Sequence, residues 1–408
     1  MRYGSVRRWV RSLTLLTGEG EQLSLRRENA AGHHTNSPAL TRFHAEVAPR
    51  LRSAASLISR RFPRTRKNSS GYALDSYIDS GDVLDLIIGA EGTLGVVTQI
   101  TWRLGAIPPF RAGMRARLTS LDSLSDAVLT LSRFEPSAVE LLDQSFLDLL
   151  GPGTLEGAGL DTRAEAILLI ELEGDEPEAL RQALSDAAAA IAPWVASIEI
   201  ADSPADTDRL WSLRHAASPI LAGLPEDRRS LQVIEDGCVP VERMGEYIRT
   251  VRRLAADREL QVVMFGHAGD GHVHVNLLPE LARANWEAQV AGLLEEATAA
   301  VIRLGGTPAG EHGDGRLRAA TLLDVYGAEI VELFRAVKDA FDPRGIFNPG
   351  IILPTGEPPI SRLKVGAGAV TIPPDLQSAL REIELTGGYG RRRLELADQS
   401  PVASRQCE

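Results

Sequence analysis

The sequence predicts an α+β chain: an antiparallel sheet flanked by helices, preceded by a shorter segment with a different pattern. Three observations carry this. From about Phe110 onward, short apolar strand-like runs alternate with amphipathic stretches, and their order suits antiparallel returns. The stretch from Val262 to Leu278 reads as two apolar strands around a glycine-rich break. A hydrophobic fraction of 44% over 408 residues is ample for a core, at a length expected to divide into two or three domains. The divisions fall at 1–108, 109–355 and a looser tail, 356–408.

The first segment opens with a hairpin. Ser12 to Thr17 is a strand, Gly18 to Glu21 its turn, and Gln22 to Leu25 the returning strand. Alone it is marginal, so it needs a sheet to join. Ser37 to Arg61 reads as a helix, with Ser37 as cap and Pro38 in the first turn. Leu40, Phe43, Val47, Leu51, Ala54 and Leu57 recur at helical spacing, and Pro49 predicts a kink or a split. A loop from Lys67 to Leu74 follows. The apolar stretch Val83 to Ile88 then meets a tight turn with glycines at 89, 92 and 95, and a β-branched strand runs on to Leu104. Such glycines let backbone amides approach a ligand, but composition alone favours a plain strand–turn–strand with no ligand.

In the second segment, strands are predicted at Met114–Leu118, Val139–Leu142, Ala166–Leu172 and Ile198–Ile200. Helices are predicted at Leu121–Phe134, Phe146–Leu150, Glu176–Ala192 and Ala205–Leu221, with a glycine-rich loop at Gly151–Gly159. Leu231 to Pro240 reads as a strand with two carboxylates, Glu235 and Asp236, near its end. Val241–Glu259, Ala284–Leu304 and Leu317–Phe341 read as helices. Phe341 to Gly350 is a turn, and the tail holds one helix near Asp375 to Glu384. Arg214 stands three residues from Trp211, so it is either a stem packed on that ring or a carboxylate fork in a pocket.

Composition excludes several functions. Net charge is −11, with lysine and arginine spread along the chain, so no nucleic-acid partner is expected. The two cysteines, Cys238 and Cys407, form no C-x-x-C pair, which excludes a cysteine-bound cluster or zinc ribbon. No apolar run reaches transmembrane length and no signal-peptide core opens the chain. A cytoplasmic, reducing location is expected, with peripheral contact at the inner membrane face left open.

Chemistry concentrates at two glycine-broken stretches. In Gly266-His267-Ala-Gly-Asp-Gly-His272-Val-His274, alternation puts His272 and His274 on one strand face and Val273 and Val275 on the other. The turn can fold His267 over the histidine face. Downstream, Gly310-Glu311-His312-Gly places a carboxylate beside an imidazole. Two imidazoles and a carboxylate make an open metal site, and a further imidazole beside the ligand carboxylate suits a general base. Hydrogen-bonded turn structure is the alternative at this point.

Four pieces, in this order, resemble the flavin-linked oxidases of the vanillyl-alcohol oxidase type, most closely the D-lactate, glycolate and D-2-hydroxyglutarate dehydrogenases. They are Asn68-x-x-Gly-Tyr with Gly89-Ala-Glu-Gly-Thr-Leu-Gly-Val-Val-Thr98; Gly266-His-Ala-Gly-Asp-Gly; Gly310-Glu-His-Gly; and Asp342-Pro-Arg-Gly-x-Phe-Asn-Pro-Gly350. The resemblance covers roughly residues 1 to 355. It implies the second half of a PCMH-type FAD-binding domain, then an FAD-linked oxidase C-terminal domain. It places Asn68, Glu91, Gly92, Thr93, Leu94, Gly95, Val96, Val97 and Asn348 against FAD. It assigns His267, His274 and Glu311 to a divalent metal, commonly zinc, and makes His312 the base. Arg214 falls where the family binds a substrate carboxylate. His272 stands where many relatives have asparagine, as a substrate contact or a fourth metal-side group. The implied reaction is oxidation of a 2-hydroxy acid, with electrons passed on to a quinone, a cytochrome or an iron–sulfur partner.

Arg2-Tyr-Gly-Ser resembles the junction into the second half of the family's FAD domain, so its first half, which grips the pyrophosphate, is expected to be absent. Three readings stay open: an incomplete gene product, a second chain supplying the half-domain, or a degenerate, non-catalytic relative. Ile234 stands where the hydroxyglutarate enzymes place a substrate lysine, which argues against that diacid. Val233-Ile-Glu-Asp-x-x-Val-Pro240 is similar to the large bacterial members that carry an iron–sulfur module.

Overall fold

The computed structural model describes residues 2–27, 37–157, 164–225, 227–361 and 372–386, with a few isolated positions between them. The Gly151–Gly159 loop lies partly outside these, and Arg391–Arg393 and Cys407 lie wholly outside. Where described, that loop is a short helix, Pro152–Gly157.

The opening hairpin finds its sheet. Strands β1 (Val10–Leu16), β2 (Gln22–Arg26) and β3 (Val96–Trp102) pair antiparallel in the order β2-β1-β3. Leu13, Leu15, Leu23 and Leu25 face a core shared with residues 39–94 and with Leu322–Phe341. β3 is exposed along its whole length, including Val96, Val97, Ile100 and Trp102.

The predicted helix at 37–61 is split, as Pro49 demands. Ser37 caps it by accepting the Leu40 amide at 3.2 Å. The helix widens to a π-helical turn over Phe43–Val47, and Pro49 sits in the first turn of Ala48–Ser53, where its missing N–H costs nothing. A further piece, Ala55–Arg61, follows. The apolar stretch after Val83 is a helical turn, Leu84–Ile87, rather than extended. Asp82 accepts the Leu84 amide at 2.9 Å and holds that turn closed.

The second sheet has seven strands in the order β7-β4-β6-β5-β9-β10-β8. They are β4 (Phe110–Leu118), β5 (Ala138–Asp143), β6 (Ala166–Gly174), β7 (Val195–Ile200), β8 (Gly237–Cys238), β9 (Gln261–Gly266) and β10 (His272–Leu278). Every named pairing is antiparallel. Period-2 alternation splits the strands between two helix layers. Leu168, Ile170, Met264, Val273 and Val275 pack with the helices Leu124–Leu131, Pro177–Ile191, Met244–Ala256 and Trp286–Arg303. Leu169, Val263 and Phe265 pack on the other face with Gln144–Leu150 and Pro204–His215. β10 thus buries its valines in the first layer and turns His272 and His274 to the second.

Three further expectations are corrected. Leu231–Pro240 forms a ladder only at Gly237–Cys238, plus a bridge from Leu231 to Leu277. Its carbonyls are taken elsewhere: Asp236 accepts the Gly310 amide and Glu235 the His274 ring. Ala205–Leu221 breaks into Pro204–His215 and Ala217–Ala222. Leu317–Phe341 becomes Gly315–Ala319, Leu322–Tyr326 and Ala328–Phe341, interrupted at Gly327, whose φ is +81°. Among the described residues no helix is long and apolar enough to cross a membrane.

Phe334, fully buried, contacts the rings of Phe62, Tyr72 and Tyr326 and fastens the Ala328–Phe341 helix to the first segment. Phe334→Ala should lower unfolding free energy by about 3–5 kcal/mol in a denaturant titration. A loss under about 1 kcal/mol would mean that this contact does not hold the two segments together.

Candidate metal centre and substrate cavity

The site forms where β8 brings the 307–315 loop against the start of β10. Cys238 and Thr307 exchange backbone hydrogen bonds, and Val239 donates to Gly271. The approach is close: a Cβ on Gly271, at φ +72°, would lie 2.0 Å from the Val239 oxygen, so the turn before β10 requires glycine.

Asp236 does most of the positioning. It is fully buried, and it accepts the Glu311 amide (3.1 and 3.2 Å), the His312 amide (2.9 Å) and His272 Nε2 (2.8 Å). Burial works to raise its pKa. The hydrogen bond and charge of His272 and the His312 amide outweigh that and hold it below the ordinary carboxylate value.

Each imidazole is anchored through one nitrogen and presents the other. His267 Nδ1 is held by Glu140 Oε1 at 2.5 Å, His274 Nδ1 by the Glu235 carbonyl at 3.0 Å, and His272 Nε2 by Asp236. His267 Nε2 and His274 Nε2 then face each other at 3.3 Å, and both face Glu311 Oε1, at 3.4 and 3.6 Å. Donors about 2.1 Å from one ion at tetrahedral angles stand about 3.4 Å apart, so these three match a shared cation. With His272 included, four donor atoms lie within 4.8 Å of one another. Each ring is oriented by an acceptor on its far nitrogen, as a group able to hold a metal requires.

The electrostatics agree. Burial would lower the His267 pKa, yet Glu140 and Glu311 push it up to about 9. Burial, with His272 and His267 nearby, holds His274 down at about 3. Burial opposes ionisation of Glu311, but His267 and Lys67 bring its carboxyl far below the usual range. Lys67 Nζ lies 2.7 Å from Glu311 Oε2 and 3.4 Å from Asp270.

His312 is the exposed member, with nearly half its side chain open. Its Nδ1 faces Glu235 Oε1 at 3.2 Å, and its ring stacks on His274 at 5.5 Å. Beside the centre is a cavity of about 500 Å³, lined by Lys67, Val139, Glu140, Trp211, Arg214, His215, His267 and Glu311. Arg214 lies over Phe265, 4.6 Å from the ring centroid, not against Trp211. Its Nε donates to Glu140 Oε2 at 2.8 Å. Glu140 therefore joins the arginine to His267.

The residues assigned to FAD divide. Gly92, Val96, Val97 and Asn348 are exposed; Thr93, Leu94 and Gly95 are buried. Glu91, at φ +52°, aims its carboxylate at the Asp314 and Gly315 amides (2.8 and 3.0 Å), while its carbonyl accepts Asn348 Nδ2 at 2.7 Å. Lys338 bonds the carbonyls of Thr93 and Phe347, and Asp342 accepts the Ile346 and Phe347 amides. The 89–97 turn and the 342–350 turn are thus one platform, joined through Glu91 to the Glu311–His312 loop. Asn68 turns inward, donating to Tyr326 and accepting the Ser70 amide.

Sequence reasoning missed Glu140 and Lys67. A charge in the middle of the apolar strand β5 was the available signal for Glu140. Lys67, in an irregular loop, gave none.

Residues 107–352 match the family model of the C-terminal domain of FAD linked oxidases. This chain belongs to that family. Its relatives include the glycolate oxidase subunit GlcD of Bacillus subtilis, 30% identical over 66% of this chain and 56% of the relative. The D-lactate dehydrogenase of Archaeoglobus fulgidus is 31% identical over 71% and 60%. The D-2-hydroxyglutarate dehydrogenase of Xanthomonas citri pv. viticola is 29% identical over 88% and 66%. The chain spans well under two thirds of the first two relatives' lengths. Two solved structures share the fold. 4-Ethylphenol oxidase from Gulosibacter chungangensis has a TM-score of 0.58 at 13% identity, covering 87% of this chain and 68% of that one. p-Cresol methylhydroxylase has a TM-score of 0.56 at 12% identity, covering 86% and 66%.

The joint between platform and centre carries a pH prediction. Asp314 is fully buried and accepts Ser70 Oγ (2.8 Å) and the Gly71 amide (2.7 Å). Burial nevertheless pushes its carboxyl up to about 7, from 3.8. A raised folded-state pKa contributes stability that is present below the unfolded pKa and lost as pH rises through the folded one. The native chain should therefore be less stable at about pH 8 than at about pH 5, and Asp314→Asn should reduce that difference in denaturant midpoints. An unchanged difference would show that Asp314 ionises normally.

Proposed function

We propose that this chain oxidises a 2-hydroxy acid of the D-lactate or glycolate class to the 2-oxo acid, using FAD and a divalent metal, zinc being the ordinary choice for imidazole and carboxylate. The observation that carries the proposal is the convergence of three anchored imidazoles and Glu311 beside a cavity that holds Arg214, with the exposed His312 stacked on His274.

The residues fit both groups. Buried His272 Nδ1 has no hydrogen-bond partner and lies on the same cluster of donors, which suits a cation. The exposed apolar run of β3, beside an open turn at Gly92, suits a flat ring system. His267, His274 and Glu311 would hold the metal, which supplies Lewis acidity toward the substrate oxygens. Gly92, Val96, Val97 and Asn348 would face the flavin, which supplies the hydride acceptor.

Arg214 receives the substrate carboxylate with its terminal nitrogens, since Glu140 occupies only Nε. Lys67 adds a second positive charge on the same wall. His312 takes the hydroxyl proton, and Glu235 orients its ring and stabilises the cation that forms. The proton goes to His312 and the α-hydrogen leaves as hydride, which balances the conversion to 2-oxo acid. The electrons then pass to a quinone, a cytochrome or an iron–sulfur partner.

A second reading is favoured by one observation. Among the described residues β3 has no strand partner on its outer edge, and that edge with its exposed apolar side chains suits coverage by further polypeptide, either as a second chain or in a non-catalytic assembly. Purified protein with added FAD separates the two: a flavin absorption band retained after desalting supports the first, and its absence the second.

His312→Ala should lower kcat by about 10²–10⁴-fold while metal content stays. His267→Ala should lose the metal. Equal metal loss in both would overturn the role given to His312. Arg214→Met should raise KM for the hydroxy acid; an unchanged KM with lowered kcat would remove Arg214 from substrate binding.

A further inference from the structure

The third imidazole, His272, has no place in a two-histidine, one-carboxylate centre. It is fully buried on the strand face opposite Val273 and Val275. Unlike the exposed His312, it has no surface open to an incoming substrate and does not line the cavity. Its orientation is fixed from two sides. Asp236 holds Nε2, and the 307–315 loop lies so close that a Cβ on Gly310 would stand 2.9 Å from His272 Cδ2. An ionised carboxylate only accepts, so the ring proton sits on Nε2 and a lone pair remains on Nδ1.

That Nδ1 is buried without a hydrogen-bond partner. A buried acceptor left unsatisfied is destabilising, because it has given up water for nothing. What faces it is the cluster: Glu311 Oε1 at 3.9 Å, with the rings of His267 and His274 at centroid distances of 5.4 and 4.5 Å. None of these groups is placed to donate to Nδ1. A cation among them satisfies all four at once.

We propose that His272 Nδ1 is a direct metal ligand, so that the ion sits in a set of three imidazoles and one carboxylate, with Asp236 as its supporting acceptor. This rests on the metal-centre reading above. Its consequence is specific. Four protein donors fill a tetrahedral ion, so substrate oxygens reach the metal only by expanding its shell. Asp236 then does two tasks: it fixes the tautomer of a ligand and anchors the loop that carries Glu311 and His312.

X-ray absorption on the full-length chain loaded with Co²⁺ counts the imidazoles directly. Three imidazole scatterers on one ion are expected; two would overturn the role of His272 and leave the metal centre standing. No binding of Co²⁺ would overturn both. His272→Asn should weaken Co²⁺ affinity by more than the about 10–100-fold typical of losing a supporting group, with circular dichroism to confirm folding. Unchanged affinity in folded His272→Asn would also overturn the assignment. If that variant does not fold, the count on the native chain decides alone.

Discussion

One buried carboxylate holds the centre together. Asp236 gathers two consecutive amides of the 311–312 segment and one ring of β10, groups separated by about forty residues in sequence. With the Cys238–Thr307 backbone pair and the Gly310 amide bond, it fixes Glu311 and His312 against the histidines of β10. The protein places this group with no exposure to water. The desolvation cost is offset because three N–H groups converge on its two oxygens. Glu140 repeats the device across the sheet, with one oxygen on His267 and the other on Arg214.

The sheet supplies the rigidity behind these bonds. β10 lies between β9 and β8, and its valines lock one face into the helical layer. A register slip of one residue would drive His272 and His274 into that layer and expose Val273 and Val275, so the hydrophobic pattern that stabilises the fold also aims the imidazoles. The platform of the 89–97 and 342–350 turns is tied to the same loop by Glu91. The left-handed backbone of Glu91 costs of order 1–3 kcal/mol, and its two amide bonds offset that cost. The geometry of the centre and that of the platform are therefore coupled through Glu91, with Arg316 donating to the Pro349 carbonyl at 2.7 Å as a second tie.

Much of this was legible in the sequence. Alternation in His272–Leu278 placed the histidines on one face, the glycine break predicted the fold-back of His267, and Ser37-Pro38 with Pro49 predicted a capped and split helix. The misses have physical causes. Val83–Ile88 is apolar enough for a strand, but Asp82 closes it into a helical turn. Leu231–Pro240 has strand composition, yet its carbonyls serve His274 and Gly310 instead of a ladder. The anchoring roles of Glu140 and Asp236 depend on strands distant in sequence, and no local pattern marks which buried carboxylate meets which ring. Which way His272 Nδ1 points is set by Asp236 on Nε2, and nothing near His272 in the sequence marks that partner.

If distant loops enclose one cation, anomalous diffraction from crystals of the 408-residue chain grown with Co²⁺ shows it directly. One peak is expected, about 2.0–2.2 Å from His267 Nε2, His274 Nε2 and Glu311 Oε1. A map with no peak among these three atoms, from crystals in which their side chains are ordered, would contradict it.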